Sequence, residues 1–125
     1  MKKKIEMEFA IRTSSRVLFP RLSTAGGLSE WFADNVTIEG QHIFTFFWDG
    51  LGQKAQQSHI RENNVVRYEW LEEEEKTFFE FRLRTDEMTG ELALIITDFA
   101  EDDEKEEVYN LWDSQLNKLK HSIGL

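Results

Sequence analysis

A chain of 125 residues has the length of one ordinary domain, and its ten Phe and four Trp set it apart from disordered segments. It has no cysteine, which excludes disulfides and thiolate metal centres and is compatible with a reducing, cytoplasmic setting. The formal charge of −9, from 24 acids against 15 bases, repels phosphate backbones, so nucleic acid and anionic membrane surfaces are poor partners; the same acidity keeps a small domain soluble.

Lys2, Lys3 and Lys4 look like the start of a secretory leader, but no apolar segment follows them. No stretch reaches the length of a membrane-spanning helix, and apolar runs such as Ile43 to Trp48 are strand-sized, so no membrane insertion is expected. Ile5, Met7, Phe9 and Ile11 alternate with Glu6, Glu8 and Ala10, the period of a half-buried strand. Ser14 or Ser15 offers an N-cap for a short helix through Val17, Leu18 and Leu22, which Pro20 keeps short or kinked. Gly26-Gly27 punctuates the chain. Leu28, Trp31 and Phe32 then fall at i, i+3 and i+4, predicting a second short helix with one apolar face.

From Val36 the pattern is strand after strand. Val36 to Gly40 is short, and Ile43 to Trp48 places Phe44, Phe46 and Trp48 on one face. Asp49 to Gly52 reads as a turn, and Gln53 to Arg61 is polar and weakly alternating. Asn63-Asn64 turns the chain into Val65 to Leu71, with Val66, Tyr68 and Trp70 on a shared face. After the acidic turn Glu72 to Glu75, Thr77 to Arg84 directs Phe79, Phe81 and Leu83 inward; Glu91 to Phe99 closes the series. Strands at this spacing predict a meandering antiparallel sheet. The last segment predicts a helix from about Asp103 to Ile123, with Asp103 as cap and Glu106 as its capping-box partner. Val108, Leu111, Trp112, Gln115, Leu116, Leu119 and Ile123 form a single stripe on it, and Gly124 ends it. Its length, roughly 30 Å, is enough to cross a sheet.

The order is therefore strand, two short helices, six strands and a long helix, an α+β helix-grip arrangement in one domain over residues 1–125. The segment SSRVLFPRLSTAGGLSEWFADNV, from Ser14 to Val36, contains a Leu-x-x-Trp-Phe element at Leu28, Trp31 and Phe32. Phe46, Trp48 and Gly50 then make a Phe-x-Trp-x-Gly element, and Val66, Arg67, Tyr68 and Trp70 a Val-Arg-Tyr-x-Trp element. In these features the chain resembles the START-like (SRPBCC) proteins related to the C-terminal domain of the Hsp90 activator Aha1. That resemblance implies a curved antiparallel sheet of about seven strands gripping the C-terminal helix. Members of the wider superfamily bind lipids, hormones or polyketides, catalyse cyclisations, or act on chaperones.

The candidate binding residues are the inward aromatics and the facing helix stripe: Trp31, Phe44, Phe46, Trp48, Tyr68, Trp70, Phe79, Phe81, Leu111, Trp112 and Gln115. They form either an apolar pocket between sheet and helix, with Leu28, Trp31 and Phe32 closing one end, or a core packed solid by the same rings. Gln115, Ser58 or His59, and Asp98, which shares a parity with Leu92, Leu94 and Ile96, are the polar groups able to face inward. No nucleophile elbow or phosphate loop is present, and His42, His59 and His121 are scattered. The acidic run Glu101 to Glu107 lacks the spacing and glycine of a calcium loop and reads as a solvated helix start. No catalytic, metal or cofactor site is expected. The reading is non-enzymatic binding of a small apolar ligand. The alternatives are a protein-interaction module that docks a protein partner through an exposed patch and, further off, a cyclase-type enzyme; no feature fixes an oligomeric state.

Overall fold

The computed structural model describes residues 1–125. Strand β1 (Lys3–Ile11) buries Met7, Phe9 and Ile11 and leaves Glu6 and Glu8 in solvent, as its period of two requires. Ser14 caps α1 (Ser15–Ser23): its Oγ accepts a hydrogen bond from the Val17 N–H at 3.2 Å. Pro20 lies inside α1, removes one intrahelical donor, and the helix stops three residues later at Ser23.

The second helix, α2 (Ala25–Leu28), differs from the sequence expectation. It ends where the Leu28, Trp31, Phe32 pattern was expected to begin a helix, and the two glycines lie within it. Thr24 caps it, accepting from the Gly27 N–H at 2.9 Å. Gly27 sits against the backbone of α1, where a Cβ would collide with the Pro20 carbonyl. The glycine thus allows close approach of two helices rather than breaking one. Trp31 and Phe32 follow in a turn, held by the Phe32 N–H donating to the Leu28 carbonyl at 2.9 Å.

Six more strands complete one antiparallel sheet: β2 (Asn35–Glu39), β3 (Ile43–Trp48), β4 (Leu51–Arg61), β5 (Val65–Trp70), β6 (Phe78–Thr85) and β7 (Leu92–Ala100). Their order is β1-β7-β6-β5-β4-β3-β2, so β1 and β2 are the edges and α1–α2 bridge them. The β3–β4 turn is tighter than expected. Only Asp49 and Gly50 make it, with φ of 52° and 80°, and Leu51 already pairs with Trp48. In β4 the inward polar residue is Gln57, not Ser58 or His59. Gln57 opposes Tyr68, whereas the Ser58 Oγ points outward and donates to Glu69 at 2.6 Å. The register slips between Ser58 and Arg61, where His59 has a φ of 49°, so the strand's alternation is interrupted there.

A 3₁₀ turn (Asp102–Glu104) leads into α3 (Lys105–Ser122), the long helix gripped by the concave face of the curved sheet. The capping pair is Glu101 and Glu104, not Asp103 and Glu106: the Glu101 N–H donates to Glu104 Oε1 at 3.3 Å. The 3₁₀ turn inserts before the α-helix proper, which moves the cap two residues upstream. Trp112, Leu116 and Leu119 are buried against the sheet, with Val108 and Ile123 half-buried beside them. Leu111 belongs to the same stripe yet is 60% exposed, and its position matters below.

Candidate functional site

The concave face divides into a sealed part and an open part. Leu18, Leu22 and Leu28 of α1 and α2 are fully buried and fill its middle. Two polar side chains from the sheet anchor this plug. The Tyr68 hydroxyl donates to the Leu22 carbonyl at 2.7 Å, and Gln57 Nε2 donates to the Ser23 carbonyl at 2.8 Å and to the Tyr68 oxygen at 3.1 Å. These bonds satisfy groups that would otherwise be costly to bury. Burial pushes the Tyr68 hydroxyl pKa up, against a smaller downward pull from Gln57, so it stays a neutral donor.

Space remains at the opposite end, where β3, β5 and β7 finish and β6 begins. A cavity of about 390 Å³ opens there between the sheet end, the β5–β6 loop and the first turns of α3. Its apolar wall consists of Phe32, Trp48, Trp70, Phe79, Phe99, Leu111 and Trp112. The rings support one another: Phe32 lies 5.5 Å from Trp112 in a stacked arrangement, 5.0 Å from Phe79 and 5.3 Å edge-on from Trp48. Trp70 leans on Phe79 at 5.2 Å. Trp48 and Trp70 are only half-buried, and Leu111 forms an apolar rim at the mouth.

The polar lining is sparse and fixed. Asp98 continues the inward row of Leu92, Leu94 and Ile96 on β7, the first polar residue of that row. One oxygen accepts from Trp112 Nε1 at 2.8 Å and the other from the Phe99 N–H at 2.7 Å. Burial raises the Asp98 pKa from its ordinary value, while those two hydrogen bonds and the nearby Lys2 ammonium pull it down. Glu73 Oε2 accepts from Thr77 Oγ1 at 3.3 Å and lies 3.7 Å from Lys2 Nζ. Gln115 Nε2 donates to the Phe32 carbonyl at 3.3 Å, an oxygen that Trp48 Nε1 also reaches at 2.9 Å. The Gln115 Oε1 atom is buried with no partner.

The structure thus separates the expected binding residues into two groups. Trp48, Trp70, Phe79, Leu111, Trp112 and Gln115 line the cavity. Phe44, Phe46, Tyr68 and Phe81 are buried to 2% exposure or less in the solid aromatic core behind it. Trp31 is also off the cavity: its Nε1 donates to the Arg21 carbonyl at 2.8 Å and its ring packs on Phe81. Some of the inward aromatics therefore border open space and the others pack against one another. Lys2, Glu73, Thr77 and Phe99 were not among the expected lining residues. They come from a strand start, a loop and strand ends, positions where no periodicity marks a side chain as inward. For Asp98 the signal was its place in an apolar row, and for Phe32 its pairing with Trp31 beside Leu28.

Residues 1–125 match the family model of the START-like superfamily domain. Among solved structures, the chain is similar to BfR322 from Bacteroides fragilis, with 37% identity, a TM-score of 0.70, and 99% of this chain and 93% of that one covered. It is also similar to the Aha1 dimer from Colwellia psychrerythraea, at 20% identity and a TM-score of 0.81 over 98% of this chain and 97% of that one. CalU16 from Micromonospora echinospora matches at 14% identity and a TM-score of 0.75, over 98% of this chain and 75% of that one. At those lower identities the last two likenesses show the fold alone. A comparison with curated proteins finds no match. With a full-length family match, and a seven-stranded sheet closed around a C-terminal helix, this chain belongs to the START-like superfamily.

Proposed function

We propose that this protein binds a small, largely apolar molecule in the cavity between the end of the sheet and the first turns of α3. The observation that carries this reading is a void of about 390 Å³ walled by Phe32, Trp48, Trp70, Phe79 and Trp112 in a domain that packs the rest of its concave face solid. That volume lies within the range of small-molecule sites, which are mostly apolar with a few fixed polar groups. Exposed apolar surface at the rim, Leu111 above all, is costly in water unless something covers it.

The test is uptake of a neutral apolar fluorophore, N-phenyl-1-naphthylamine, followed by its emission on titration into the protein. Saturable binding near one molecule per chain is expected. Leu111→Glu places a charge on the rim without touching the core, and should weaken the probe roughly tenfold while leaving the thermal midpoint nearly unchanged. No uptake by the wild-type chain, or uptake indifferent to Leu111→Glu, removes the ligand-binding reading and puts the protein-interaction alternative first.

A further inference from the structure

The polar atoms in the cavity lining are unbalanced. Apart from the Lys2 ammonium, whose Nζ sits 3.7 Å from Glu73, and the half-buried Trp70 indole, the side-chain donor groups of the lining each have an acceptor. Trp112 Nε1 is taken by Asp98, Trp48 Nε1 and Gln115 Nε2 by the Phe32 carbonyl, and Thr77 Oγ1 by Glu73. The one buried side-chain atom of the lining left without any partner is an acceptor. Gln115 Oε1 is buried and has no partner at all. Each oxygen of the Asp98 carboxylate takes a single donor, and a carboxylate has room for more. Two carboxylates, Asp98 and Glu73, line the cavity against the one ammonium of Lys2. The β5–β6 loop at its mouth adds Glu72, Glu74 and Glu75 to a chain whose formal charge is already −9.

We propose that the ligand of this cavity is an apolar molecule whose polar end is a protonated amine, and that the site rejects the matching carboxylate. This rests on the ligand-binding reading above and names the chemical class it selects. An ammonium supplies the donors that Gln115 Oε1 and Asp98 lack, and it neutralises the excess negative charge of the lining. The indole faces of Trp48, Trp70 and Trp112 attract a cation and repel an anion through their ring quadrupoles. An alcohol satisfies the donor requirement without the charge and ranks between the two. A carboxylate brings further acceptors to acceptors and a like charge to Asp98 and Glu73.

The experiment is calorimetric titration with three ligands of one shape, 2-(1-naphthyl)ethylamine, 2-(1-naphthyl)ethanol and 1-naphthylacetate, at neutral pH and fixed salt. The expected order is amine, then alcohol, then carboxylate, with a gap of at least about tenfold between the first and last. Asp98→Asn and, separately, Glu73→Gln in the loop should each narrow the gap between amine and alcohol while sparing the alcohol. Glu73 is partly exposed, so its variant keeps the test sound even where the Asp98 variant perturbs folding. Equal affinities for all three, or tighter binding of the carboxylate, overturn the proposal and leave the cavity a ligand site of another class. Failure of all three to bind overturns the ligand-binding reading itself.

Discussion

Asp98 is a carboxylate set into the apolar row of Leu92, Leu94 and Ile96. Its pKa is raised in the folded chain by burial, so the folded state holds its proton more tightly than the unfolded state does. Stability linked to this group is therefore highest below the unfolded value and declines as the pH rises through the folded value. Asp98→Asn removes that term. Denaturant melts of wild type and Asp98→Asn should differ in their pH dependence as the pH rises from the ordinary carboxylate value, with the variant the flatter. A constant offset across that window argues against the assignment. Asp98→Leu does something different: it strands the Trp112 indole N–H and the Phe99 N–H, and should cost about 1–3 kcal/mol at every pH. The same reasoning applies to the plug at the other end. Tyr68→Phe leaves the buried Leu22 carbonyl without its donor, and a loss of about 1–3 kcal/mol is expected in urea titration. A change below 0.5 kcal/mol would mean that water replaces the hydroxyl.

At the scale of elements, the α1–α2 pair is what divides the groove. Neither helix is long enough to be stable alone, with nine residues in one and four in the other, so both depend on contacts with the sheet and with each other. Gly27 is the tightest of those contacts. Gly27→Ala should raise helix propensity in isolation, yet in this setting it forces α2 away from the Pro20 carbonyl. The expected result is a net loss of about 1–3 kcal/mol in thermal or chemical unfolding. Gly26→Ala, where a Cβ meets nothing, serves as the control and should be neutral or slightly stabilising. If both glycines behave alike, close packing of α2 on α1 is not the reason for Gly27. The β3–β4 hairpin shows a second local device. Positive φ at both Asp49 and Gly50 gives the two-residue turn its twist and sets Trp48 opposite Leu51, which fixes where the aromatic strand ends and the cavity begins.

For the molecule as a whole, charge and shape point the same way. A formal charge of −9, with no basic cluster beyond Lys2 to Lys4, disfavours phosphate backbones at any face. Of those lysines, Lys2 and Lys3 are paired with Glu73 and Asp102. A labelled DNA or RNA probe at micromolar protein and physiological salt should show no shift in a gel or in anisotropy, and a salt-sensitive shift there contradicts this prediction. No helix is long and apolar enough to cross a membrane. The most apolar of its openings lies at the end of the sheet where β3, β5 and β7 finish.

The sequence by itself determined the elements and their faces. Period-two alternation in strands such as Phe44, Phe46 and Trp48 and the 3.6-residue stripe on α3 are properties of neighbouring residues, and they survive in the structure because burial of one face is what stabilises each element. The Trp31-Phe32 element, likewise, announced a packed segment between β1 and β2, though not the form of its helix. Tertiary structure alone decided which inward rings touch space and which touch one another. Phe46 and Trp48 share one face of β3 in the sequence pattern, yet Phe46 is fully buried and Trp48 is half-buried at the cavity. The difference is set by position across the groove: Trp48 ends β3 at the open end, whereas Phe46 is enclosed by the rings of Phe32, Phe44, Tyr68 and Phe79. Lys2, Glu73 and Asp98 come together for the same kind of reason. They lie far apart in the chain; antiparallel pairing of β1 with β7 brings the start of one beside the end of the other, and pairing of β6 with β7 brings the β5–β6 loop to the same end.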